Sequence, residues 1–236
     1  TDASQLTLVN VPAGDAGQPS KVAISTPVAN YNDKTVGTAK PVTLVSATLS
    51  GTLASNYTLS VSGAPTTSAD ITQKALTVSF TALNKTYDQG ISATPTFSNN
   101  RIAGDTVTAT GTANFSDKNV GTGKTVTATG ITISGTDAAN YSYNTTATTT
   151  ANITAKTLAV TITATNKIYD ALTAASVTYL DNRIAGDVFT VSGTANFNNK
   201  NIGTNKTVTA TSIALSGTDA ANYTPNTSTS TTANIT

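Results

Sequence analysis

Cysteine, histidine, methionine, tryptophan and glutamate are all missing from this 236-residue chain. Without cysteine there is no disulfide and no thiol nucleophile, so stability must come from the packing of strands. Without histidine the commonest general base and metal ligand is lost. Without glutamate, aspartate is the only side-chain acid. Charge is scarce as well: 13 basic residues face 12 acidic ones, and only 11% of the chain is charged. The basic residues form no run, which excludes the electrostatic footprint of a nucleic-acid or anionic-membrane binder. No apolar run is long enough to span a bilayer, and no signal-peptide pattern occurs. The first residue falls inside a repeat, so the chain reads as a fragment whose targeting sequences would lie outside it.

Thr, Ala, Ser, Asn, Val and Gly fill the space. Thr and Val favour strands; Asn and Gly favour tight turns. The organising stretch is Gly135-Thr136-Asp137-Ala138-Ala139-Asn140-Tyr141, which returns unchanged 82 residues later at Gly217-Thr218-Asp219-Ala220-Ala221-Asn222-Tyr223. A degenerate copy, Gly51-Thr52-Leu53-Ala54-Ser55-Asn56-Tyr57, lies upstream. Tyr87 and Tyr169, Phe115 and Phe197, and Ile153 and Ile235 keep the same spacing. A period this long marks an array of small domains. The expected domains are residues 1–73, a truncated or variant repeat, then 74–155 and 156–236. The first repeat aligns at an offset of 84 (Val36-Gly37-Thr38 on Val120-Gly121-Thr122), which returns to 82 at Ile71. Two extra residues are therefore placed near Gly63-Ala64-Pro65. The first repeat also lacks the opening strand and the Tyr-Asp pair of the others.

Within a full repeat, Leu76, Val78 and Phe80 alternate with polar residues, the period-2 pattern of a half-buried strand. Leu158, Val160 and Ile162 copy it. A further strand carries Val107, Ala109, Ala113 and Phe115 on one face, copied by Phe189, Val191, Ala195 and Phe197. At the turn Lys118-Asn119-Val120-Gly121, copied to Gly203, Gly121 is expected to adopt positive φ. Thr129-Gly130 shifts the alternation as a bulge would. Short strands separated by frequent turns, with no convincing helix, predict an all-β chain of tandem immunoglobulin-like β-sandwich repeats; β-grasp-like repeats are the alternative. The Asp-x-Ala-x-Tyr segment is similar to the tyrosine corner of immunoglobulin-like domains, which gives Asp137 and Tyr141, and hence Asp219 and Tyr223, a structural reading. The junctions Ile71–Leu76 and Ile153–Leu158 hold no glycine and predict stiff, end-to-end joining.

No enzyme is expected: paired aspartates could do acid–base work, but Asp88, Asp105, Asp117 and Asp137 all fall at turns, where Asp bonds local backbone. Calcium is the chemical alternative to no cofactor, with Asp105 and Asp117, or Asp88 and Asn84, as the ligands. A Lys–Asn crosslink would place Lys85 beside Asp88. Asn114, Asn140, Asn152 and Asn222 begin Asn-x-Ser/Thr triplets open to glycosylation. Thr108–Thr110 and Thr127–Thr129 could present a hydroxyl array to sugar or ice. If the repeats bind a partner, residues differing between them should cluster on one face, the candidates being Phe97 against Tyr179 and Tyr143 against Pro225.

At Tyr87-Asp88-Gln89-Gly90 and Tyr169-Asp170-Ala171 the chain resembles the YDG repeat of large exported, filamentous-haemagglutinin-like adhesins of Gram-negative bacteria. Ala-Gly-Asp at 103–105 and 185–187, Lys118 to Thr122, Ala-Ala-Asn-Tyr and the Ile-Thr-x-Lys-x-Leu junctions extend the likeness. Gln89 and Ala171 stand where the motif has Gly. The resemblance implies a cell-surface or secreted adhesin in which these repeats form a stalk, with no catalytic residues. Its implied partners are other repeats of the same parent protein; the alternative is a repeat that itself binds host glycan or protein.

Overall fold

The computed structural model describes residues 8, 10–12, 14, 15, 18, 20–64 and 66–236; of the expected insertion, Pro65 lies outside the described residues. The chain is all-β. Among the described residues the helical segments are three 3-10 turns, Ala54–Asn56, Ala138–Asn140 and Ala220–Asn222, one in each copy of the organising stretch.

The chain divides into two compact units. One holds residues 1–76, 101–108 and 133–143; the other holds 77–100, 109–132 and 144–236. The division runs through the second repeat. One end of that repeat is built with the first repeat and the remainder with the third.

In the first unit an antiparallel sheet orders Ala23–Tyr31, Gly37–Ser50 and Thr67–Ile71. Beside it, Lys74–Leu76 pairs in parallel with Tyr141–Tyr143. In the second unit, Val78–Ala82 forms a hairpin with Pro95–Asn99, and Val160–Ala164 forms one with Val177–Asp181. Each hairpin is accompanied by a larger sheet. The third repeat's sheet orders Thr190–Phe197, Gly203–Ser216 and Ser228–Ile235. Its core closes when Ile162 of the hairpin packs with Phe197, Val208, Ala210 and Ile235 of the sheet. In the second repeat Phe80, Phe115, Val126, Ala128 and Ile153 are buried at the same positions. The hairpin has no counterpart among the described residues of the first repeat, where Val22 alone of the hydrophobic residues is buried. A sheet without a second layer cannot bury its inner face.

The predicted opening strand is broken into two. Leu76 belongs to the parallel pair, whereas Val78 starts the hairpin. At the break, asparagine side chains replace sheet bonds. Asn100 Oδ1 accepts the Thr77 N–H at 2.8 Å, and Asn144 Oδ1 accepts the Val78 N–H at 2.7 Å while its amide donates to the Val78 carbonyl at 3.0 Å. Asn182 and Asn226 do the same for Ala159 and Val160. Buried backbone polar groups need such partners wherever a ladder stops.

Gly121 does not take positive φ. Gly123 does, at 60°, with Asn205 and Ala39 in its place in the other repeats, each at 50°. The strand already begins at Gly121, paired with Ile153, and the register slips between Gly121 and Lys124. The left-handed residue is thus the bulge inside the strand, not the turn before it. A Cβ at Gly121 or Gly203 would meet the Lys124 or Lys206 stem at 3.3 or 3.5 Å, so the lysine packs over the glycine without excluding a side chain there. The expected phase shift at Thr129-Gly130 is present, with Gly130 at φ 60° and Ser212 at 54°.

Candidate functional site at the repeat junctions

The organising stretch starts with a glycine that only glycine can satisfy. At Gly135 (φ 122°) a Cβ would stand 2.2 Å from the Thr106 carbonyl oxygen, and at Gly217 (φ 131°) 2.8 Å from the Phe189 Cα. The close approach lets the acid behind it reach across: Asp137 accepts the Thr106 N–H and Asp219 accepts the Val188 N–H, both at 2.9 Å. The 3-10 turn then delivers the tyrosine. The Tyr141 hydroxyl donates to Asp105 at 2.6 Å and accepts the Ile102 N–H at 3.0 Å. Tyr223 repeats both contacts with Asp187 and Ile184, at 2.6 and 2.9 Å. Each corner therefore gathers two carboxylates, a tyrosine and an asparagine amide.

The neighbouring repeat meets this corner with a lysine turn. In the first unit Lys34 Nζ lies 2.8 Å from Asp105 and 2.7 Å from Asp137, and the Val36 N–H donates to Asn140 Oδ1 at 2.9 Å. In the second unit Lys118 Nζ lies 3.1 Å from Asp219 and 3.6 Å from Asp187, and the Val120 N–H donates to Asn222 Oδ1 at 2.9 Å. The backbone bonds span 104 and 102 residues; the difference of two is the insertion in the first repeat.

The second junction has an added layer supplied by the Tyr-Asp motif. Tyr87, 1% exposed, donates its hydroxyl to Asp187 at 2.9 Å. Gln89 Nε2 donates to Asp187 at 2.8 Å and to the Ala185 carbonyl at 3.1 Å. Tyr87 meets the Tyr223 ring edge-on, 5.6 Å between centroids, and Phe189 lies tilted against Tyr223 at 5.1 Å, beneath the Arg183 guanidinium. The Asp187 side chain is fully enclosed. Burial alone would raise its pKa, but hydrogen bonds from Tyr223, Gln89 and Tyr87 and the charge of Lys118 outweigh burial and hold it below the usual carboxylate range. Tyr223 is pushed up to about 12, first by burial and then by its bond to Asp187. Lys118 is raised through its bonds to Asp219 and Tyr87. At the first junction Lys34 lowers both Asp105 and Asp137, and is itself raised.

Asp88 and Asp170 do not join this cluster. Asp88 accepts the Gly90 N–H at 2.9 Å and pairs with Lys85 at 2.7 Å; Asp170 does so with Leu172 and Lys167 at the same distances. They tie the motif loop to its own repeat and leave the tyrosine free to reach the next. Gln89 and Ala171, at the motif's glycine position, have φ of 67° and 62°; the left-handed turn is kept although the glycine is lost.

The calcium pairing is not formed. Asp105 is held by Lys34 and Tyr141, whereas Asp117 is held by Lys124 at 2.7 Å and the Asn119 N–H at 2.8 Å. Asn84 Oδ1 accepts the Asn152 N–H instead of joining Asp88. Among the described residues no group of three or more acidic side chains is placed to hold a metal ion. The expectation of local backbone bonding fits Asp88 and Asp117. It fails for Asp105 and Asp137, whose carboxylates serve the corner and the lysine. Asn222 is 2% exposed with its amide in the junction, which removes it as a glycosylation acceptor. Phe97 packs on Phe80, 5.7 Å between centroids, and Tyr179 packs against the third repeat's core; both are partly buried packing residues.

Sequence comparison places the chain in a family. It matches the YDG domain three times, over residues 1–68, 72–151 and 154–232, and so belongs to the YDG domain family. Comparison with curated proteins and with solved structures yields no match.

Proposed function

We propose that this chain is a structural spacer: YDG repeats that set the position of an adhesive region on a bacterial surface or secreted adhesin. One observation carries the reading. The same lysine-to-two-aspartates, amide-to-asparagine junction is built twice, at matched positions, and its polar groups are turned on one another. Repeats that use their most specific chemistry to hold their neighbours are suited to length and stiffness. Hydroxyl-rich strand faces suit prolonged exposure to solvent. Two layers sharing one core, a tyrosine corner and no covering helix among the described residues favour immunoglobulin-like sandwiches over β-grasp-like repeats. Residence outside a Gram-negative cell is part of the same proposal and rests on the likeness of these YDG repeats to those of exported adhesins.

The test is binding of the purified chain to host cells and a glycan panel, with and without calcium. The spacer reading expects no saturable binding in either condition. Saturable binding would overturn it and make each repeat one site of a multivalent surface.

A further inference from the structure

Tyr87 and Tyr169 occupy equivalent positions, and their backbones are held alike: the Tyr87 N–H donates to the Thr154 carbonyl at 2.9 Å, and the Tyr169 N–H to that of Thr236 at 2.8 Å. Yet Tyr87 is 1% exposed and Tyr169 is 46% exposed. The same contrast holds at the lysine turn. Ile202, the counterpart of Val120, is 68% exposed, and Lys200, the counterpart of Lys118, makes no ion pair among the described residues. The turn is already shaped for use, because the Asn201 N–H donates to Asn199 at 3.0 Å as the Asn119 N–H does to Asp117. A preformed cationic turn beside an exposed tyrosine and isoleucine is thus the mate of a corner this chain displays elsewhere.

We propose that the Tyr169–Lys200–Ile202 face is a docking surface for one further repeat of this family, one carrying two corner carboxylates and an asparagine in the manner of Asp187, Asp219 and Asn222. The proposal rests on the spacer reading and extends it to a named partner. Charge fixes the partner's chemistry: Lys200 needs acids, Tyr169 needs an acceptor and the Ile202 N–H needs an amide oxygen. A second copy of this chain does not supply them. The corners of its second and third repeats are already engaged by Lys34 and Lys118. Its first-repeat corner has Leu53 in place of the aspartate. Docking therefore requires a repeat covalently next in line or a separate one with its corner open.

The test appends a second copy of residues 155–236 directly after Thr236 and follows amide hydrogen exchange by NMR. In the 236-residue chain the Ile202 amide should exchange freely while the Val120 amide is protected. In the extended chain Ile202 should become at least about tenfold slower, like Val120. Replacing the appended copies of Asp187 and Asp219 by Asn, or making Lys200→Glu, should return Ile202 to fast exchange. In both variants the strand amides of the appended repeat should remain protected. Unchanged exchange at Ile202 beside a folded appended repeat would overturn the proposal. Fast exchange at Val120 in the parent chain would instead remove the spacer reading beneath it.

Discussion

The Tyr87 hydroxyl donates to a carboxylate of the following repeat, Asp187, across 2.9 Å and 100 residues of chain. The residue that opens this repeat's signature motif is therefore a junction residue. Tyr87→Phe should destabilise the chain by about 2 kcal/mol, the scale of a hydrogen bond to a buried charged group. Tyr169→Phe should change stability by less than about 0.5 kcal/mol, as for an exposed side chain. Denaturant unfolding of both variants checks this, and equal effects would refute the distinction.

Acid should loosen the junctions. Asp187, Asp105 and Asp137 titrate below their unfolded values, so the stability they add is present above the unfolded aspartate pKa of about 4 and is lost as pH falls through their folded values. Tyr223 is raised to about 12, so its contribution is complete below about pH 10, its unfolded value, and is lost as pH rises through 12. With no histidine, cysteine or glutamate, the melting temperature should be flat from about pH 5 to 9. A step near pH 6.5, the range of histidine, would contradict the assignment.

Left-handed turns without glycine are strained. Ala171→Gly should stabilise by about 1 kcal/mol, since an L-residue at positive φ carries a penalty of that order. Gln89→Gly should gain less or turn unfavourable, because the Gln89 amide also holds Asp187 and the Ala185 carbonyl. Thermal unfolding of the two variants separates strain from bonding.

Tyr179 carries a buried hydroxyl with no hydrogen-bond partner among the described residues, in the position that the second repeat gives to Phe97. That hydroxyl stands 2.7 Å from where a Gly193 Cβ would lie, and the Phe97 ring crowds Gly111 in the same way. Tyr179→Phe should raise stability by about 1 kcal/mol, the desolvation penalty of one unpaired polar group. A loss of stability would show that the hydroxyl has a partner.

Strand periodicity made Leu76, Val78, Phe80, Phe115 and Val126 legible as core, and the 82-residue spacing made the repeats legible. The Asp and Tyr of the organising stretch could be read as a corner because the two lie together in one short segment similar to a tyrosine corner. What periodicity could not show was the reach of Lys34, Lys118 and Tyr87 into the next repeat, because a separation near 100 residues leaves no local signature. The signal was nonetheless present: the lysine recurs at Lys34 and Lys118 with the same offset as Val36 and Val120, which strand packing alone does not require. The error at Gly121 has a similar source. A glycine between two strands reads as a turn residue, whereas the bulge two residues on, at Gly123, takes the left-handed position.

The most direct measurement of the central claim is a distance distribution between spin labels on two neighbouring repeats. Since the chain has no cysteine, Thr81→Cys and Ser230→Cys, both exposed, place one label in the second repeat and one in the third. A junction held by Tyr87, Lys118 and Asn222 predicts a single narrow distribution that broadens in the Tyr87→Phe/Lys118→Met background. A broad distribution in the parent chain, unchanged by those substitutions, would contradict the account.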